Sequence, residues 1–134
     1  MRQAGILAAA GILSLQKGPI RLAQDHMFTK QLAVTAQEVG KDIVEVDLDT
    51  VETNMVMLKV EPKSGATPNS IVRRLAESTE KEVHAVGQDV RLLAYPMTES
   101  NIRIVVHCNN TPEDIKLAQD KLGYVFGELK HNDA

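Results

Sequence analysis

The run Met1-Arg2-Gln3-Ala4-Gly5-Ile6-Leu7-Ala8-Ala9-Ala10-Gly11-Ile12-Leu13-Ser14-Leu15 decides what kind of body this chain forms. Over residues 4–15 nearly every side chain is apolar, so a helix formed here has no polar face and needs cover on all sides, inside a larger body or an interface. Bare apolar patches of several hundred Å² rarely persist on monomers, so self-association through this segment is expected. A secretory signal is the competing reading, because Arg2 precedes an apolar run of suitable length. Gln16-Lys17-Gly18, however, offers no small-x-small cleavage site. The run is also shorter than the ~20 residues that cross a bilayer, and no membrane is expected as partner.

Outward from this run, Gly18-Pro19 interrupts the pattern and a second helix is predicted over residues 20–39. Leu22, His26, Thr29, Leu32, Ala33, Ala36 and Val39 recur there at three- and four-residue spacing. On that face His26 reads as a satisfied core histidine, and Gly40 ends the helix at a position that tolerates left-handed backbone. Beyond Asp42 the period falls to two. Ile43, Val44 and Val46 form a short strand, and residues 54–60 a second with Val56, Leu58 and Val60 on one face. Glu61-Pro62-Lys63-Ser64-Gly65 closes it.

Thr67-Pro68 and Thr111-Pro112 each pair a capping hydroxyl with a proline at the first helical position, and they launch helices over 68–78 and 112–130. The second carries Ile115, Ala118, Leu122, Val125 and Leu129 on one stripe, with Glu113 and Asp114 in its first turn. Between the helices, strands are predicted over 82–86, 90–95 and 101–107, and their short connectors imply antiparallel neighbours. The expected fold is α+β: a short, mostly antiparallel sheet with helices packed on it, preceded by two helices.

A chain of 134 residues, 43% of them apolar, supports one core. Fifteen basic against eighteen acidic residues, with no basic face, argue against nucleic acid as a partner. The single cysteine, Cys108, excludes an intrachain disulfide and suits a cytoplasmic setting. His26, His84, His131 and the His107-Cys108 pair are too scattered to predict a metal site. None of Ser14, Ser64, Ser70, Ser78 and Ser100 sits in a G-x-S-x-G elbow, so no nucleophile is indicated. Glu45 and Asp47 fall on alternate strand residues, where solvated faces are ordinarily charged, and receive no catalytic role.

Arg103 stands out. Alternation along 101–107 sends Ile102, Ile104 and Val106 to one face and Arg103, Val105 and His107 to the other. A guanidinium on a mostly apolar strand needs an anion, and a carboxylate matches its planar fork. The plain alternative is an arginine exposed on an edge or paired with a local acid such as Glu99. His107 lies about 13 Å further along the strand, too far to share one small carboxylate, and reads as structural through a hydrogen bond to a backbone carbonyl.

Met1-Arg2-Gln3 running into the apolar helix, Arg21-Leu22-Ala23-Gln24-Asp25-His26, Val51-Glu52-Thr53-Asn54-Met55-Val56 and Ile102-Arg103-Ile104-Val105-Val106-His107 together resemble the low-specificity L-threonine aldolases. The similarity extends from residue 1 to about residue 129. It implies that residues 1–40 are a helical segment from the end of a large pyridoxal-phosphate domain together with the interdomain helix, followed by a small C-terminal α+β domain over 41–134 of a fold-type-I enzyme. Such enzymes cleave L-threonine or L-allo-threonine to glycine and acetaldehyde, with pyridoxal phosphate accepting the electrons of the broken bond.

By this resemblance Arg103 grips the amino-acid substrate's α-carboxylate and Arg2 approaches the cofactor phosphate at a subunit interface. The family's cofactor lysine lies upstream of the stretch that matches Met1-Arg2-Gln3. None of this chain's lysines sits in a comparable segment, so no catalytic residue is expected and the chain alone should not turn over threonine. Val106 stands where the family usually has threonine, and Asn109-Asn110 replaces a more apolar, acidic stretch. The other reading is a stand-alone, non-catalytic α+β binding or dimerisation module.

Overall fold

A computed structural model describes residues 3–132. Its elements are α1 (Ala4–Val39), β1 (Val44–Glu45), β2 (Met55–Val60), α2 (Pro68–Ala76), α3 (Glu80–Val86), β3 (Tyr95–Pro96), β4 (Asn101–Val105) and α4 (Pro112–Asn132), with 3-10 turns at Leu48–Thr50 and Pro62–Ser64. The four strands pair antiparallel in the order β1-β2-β4-β3, so the chain leaves β2 through the two middle helices to the edge strand β3, and β4 returns between β3 and β2. The architecture is the expected small α+β layer.

Alternation builds the sheet. Val56, Leu58 and Val60 of β2 and Ile102 and Ile104 of β4 point into the core, while Met55, Met57 and Lys59 face out. The inward face is covered by Phe28, Leu32, Ala33 and Ala36 of α1 and by Ile115, Leu122, Val125 and Phe126 of α4. At roughly 1.5–3 kcal/mol for each large side chain withdrawn from water, this cluster dominates the stability of the domain.

The two capped helices begin where expected. Thr67 accepts from the Ser70 N–H and Ser70 Oγ accepts from the Thr67 N–H, which is a reciprocal cap. Thr111 and Asp114 exchange the same pair of bonds at the start of α4. The Thr111 backbone N–H bonding to Asp114 holds that carboxyl below the usual carboxylate range.

Several expectations are corrected. The N-terminal region is one 36-residue helix: Pro19 is accommodated inside α1 and costs it one backbone bond, and the run does not split there. Leu22 and His26 remain exposed because the core-facing stripe is Asp25, Phe28, Thr29, Leu32, Ala33 and Ala36, so His26 is not a core histidine. Gly40 is not left-handed (φ −90°). Its constraint is crowding, since an added Cβ would lie 2.5 Å from both the Ala36 carbonyl oxygen and Val44 Cγ2.

Residues 82–86 are helical, not extended. The Thr79 hydroxyl accepts from the Glu82 N–H, and Gly87 closes α3 in left-handed backbone (φ 92°). Of the strand expected at 90–95, only Tyr95 pairs with β4; upstream of it Leu92 donates its N–H to the Leu75 carbonyl at the end of α2. The strand expected over 101–107 ends at Val105, where the Val106 N–H turns to the Asn54 carbonyl.

Candidate functional site

Arg103 is at the centre of the outward face of the sheet. Register places it opposite Met57 of β2 on one side and Tyr95 of β3 on the other. Met55, Met57, Tyr95 and Val105 are all substantially exposed there, so the guanidinium stands in an apolar surround. Its Cζ lies 5.8 Å from the centroid of the Tyr95 ring. Its Nε is buried without a hydrogen-bond acceptor, and among the described residues no carboxylate pairs with it, Glu99 included. An unpaired, partly desolvated guanidinium is costly, and its planar fork matches the geometry of a carboxylate.

Arg2 lies outside the described residues. Three of the stretches singled out by the sequence do meet, but away from Arg103. A groove of about 390 Å³ is bounded by Lys17, Arg21, Asp25, Asn54, His107 and Cys108 among others. Asn54 ties the strand ends together by donating from Nδ2 to the Val106 carbonyl at 2.7 Å. His107 is structural, although in a different manner from that expected: Nδ1 accepts from the Asn109 backbone N–H at 3.3 Å. Glu45 pairs with Lys59 across β1 and β2 at 2.9 Å, both exposed, and Asp47 caps the first 3-10 turn.

Sequence reasoning missed a buried ionic cluster joining the three later helices. Lys121 of α4 and Glu82 of α3 are both fully buried, and Lys121 Nζ donates to Glu82 and to the Glu77 carbonyl. Arg74 of α2 lies 2.8 Å from Glu82 Oε2, without hydrogen-bond alignment, and bonds Glu128 through Nε and Nη2. The Arg74 guanidinium holds the Glu128 carboxyl below the usual range, and the same contact raises Arg74. Arg74 Cζ also stands 5.7 Å over the Tyr124 ring. Thr79-Glu80-Lys81-Glu82, a T-x-x-E pattern at a helix start, was the available signal for the placement of Glu82.

The beta-eliminating lyase family model matches residues 1–62. Low-specificity L-threonine aldolase 1 of Arabidopsis thaliana is 30% identical over 115 residues, which cover 86% of this chain. The chain is a relative of the low-specificity L-threonine aldolases. The low specificity L-threonine aldolase of Escherichia coli (strain K12) is 39% identical over 66 residues, 49% of the chain, and the probable low-specificity L-threonine aldolase 2 of Arabidopsis thaliana is 29% identical over 118. The chain spans 28%, 18% and 29% of these three threonine aldolases, less than a third of each.

The pyridoxal phosphate that this family implies does not find a complete seat among the described residues. Lys121, the one buried lysine there, is held by Glu82 and the Glu77 carbonyl, and the others are exposed. Among the described residues no helix is long and apolar enough to cross a membrane.

Proposed function

We propose that residues 41–134 form the small C-terminal domain of a pyridoxal-phosphate-dependent threonine aldolase, and that residues 1–40 come from the end of its cofactor domain. The activity is cleavage of L-threonine or L-allo-threonine to glycine and acetaldehyde in the cytoplasm. This chain contributes substrate recognition: Arg103 binds the α-carboxylate, and Arg2 reaches the cofactor phosphate at a subunit interface. The 134 residues by themselves do not turn over threonine, since Lys121 is locked in an ion pair and no other lysine is withdrawn from water.

One observation carries this reading. Arg103 lies beside Met57, Tyr95 and Val105 on the outward sheet face with a buried Nε that has no acceptor, and among the described residues no acidic side chain pairs with it. Surface arginines are ordinarily solvated or paired with acids, and this one is poised for a carboxylate from outside. Titration of the ¹⁵N-labelled chain with glycine tests it. The Arg103 side-chain resonance moves saturably in the wild type, and in Arg103→Leu no residue of this face responds. A wild-type spectrum indifferent to glycine and threonine removes the carboxylate role.

A second reading, a non-catalytic binding or dimerisation module, is favoured by the uncovered apolar front of α1, where Ile6, Leu7, Leu15 and Ile20 are exposed. Under that reading the chain self-associates and ignores amino acids.

A further inference from the structure

We propose that Tyr95 is a positioning residue for the Arg103 grip, its ring holding the guanidinium flat so that the charged edge is presented to the substrate carboxylate. This rests on the carboxylate role proposed above. The two residues are direct cross-strand partners on the outward face, and the ring centroid lies 5.8 Å from Cζ. A ring attracts the guanidinium through its flat face, whereas a carboxylate binds the N–H edge in the same plane. The two contacts therefore do not compete, and the first limits the rotation that the second must freeze.

The same molecule contains the completed version of this arrangement. Arg74 lies over the ring of Tyr124 at 5.7 Å while its edge bonds Glu128 through Nε and Nη2 at 2.8–3.2 Å. Arg103 and Tyr95 reproduce the cation–π half, and the carboxylate is the part without a counterpart among the described residues. Tyr95 is exposed, so its replacement leaves the core intact and isolates the contact.

The test uses the full chain and the Nε–Hε region of its ¹H–¹⁵N spectrum, with the Arg103 signal assigned through Arg103→Lys. In the wild type that signal carries the ring-current shift of Tyr95; Tyr95→Leu abolishes the shift and Tyr95→Phe retains it. Glycine binding weakens roughly two- to fivefold in Tyr95→Leu and returns in Tyr95→Phe, as expected for an exposed cation–π contact. An unchanged Arg103 signal and unchanged glycine affinity in Tyr95→Leu overturn the proposal, as does a Phe variant that behaves like Leu. Should glycine fail to move Arg103 in the wild type, the carboxylate role falls. The ring-current comparison then decides the Tyr95 hold by itself: a shift lost in Leu and kept in Phe upholds it, and a shift present in all three overturns it.

Discussion

Gly40 sits where α1 gives way to β1, at a point that leaves no room for a side chain. Its position after a long helix suggested left-handed backbone, yet its φ of −90° suits any residue, and the constraint comes from Ala36, Val44 and Phe126 closing around the Cα. No sequence pattern reveals such a tertiary approach. Gly40→Ala forces a methyl group against a carbonyl oxygen and a valine methyl and should destabilise by about 1–3 kcal/mol. Urea denaturation reads this as a lower midpoint with an unchanged slope, and a midpoint equal to that of wild type refutes the crowding. Arg103 was legible for the opposite reason. Strand alternation by itself put it on the face away from Ile102 and Ile104. Tyr95 was not, because its own strand is only two residues long and no period can be read from two residues.

Among the elements, the capped and strongly periodic ones were visible. Pro68–Ala76 and Pro112–Asn132 begin at their threonine caps, and Met55–Val60 keeps strict alternation. Glu80–Val86 was misread because Val83 and Val86 within a short polar stretch allow either period, and the deciding feature was its cap. That helix is held by a charge pair and not by an apolar stripe. With Glu82 and Lys121 both fully buried, removing Glu82 leaves the Lys121 ammonium with the Glu77 carbonyl alone, whereas removing Lys121 leaves Glu82 the Arg74 guanidinium. Glu82→Leu should therefore cost about 3–5 kcal/mol, while the double change Glu82→Leu with Lys121→Met should recover most of that loss. A double variant no more stable than Glu82→Leu would show that packing around Glu82, not charge burial, sets the cost.

For the molecule as a whole, the sequence revealed the division between a body with a core and a segment without cover. The first half of α1 leaves Ile6, Leu7, Ile12, Leu13, Leu15 and Ile20 between 53% and 81% exposed, and large apolar surface of this kind ordinarily marks an interface. In solution the chain should run as a dimer or larger species by light scattering. Ile6→Lys, Ile12→Glu and Leu13→Lys together should return it to monomer with the sheet intact. A wild-type monomer in which circular dichroism still reports the full helix content contradicts this. The sequence did not reveal that the uncovered half and the core-packed half form one rod, because Gly18-Pro19 reads as a stop.

That continuity has a mechanical consequence. At 1.5 Å per residue the 36 residues of α1 extend about 54 Å, and only the later half is anchored in the domain. The helix is a boom bolted at one end, and Pro19, with its missing backbone bond, is the weakest point along its shaft.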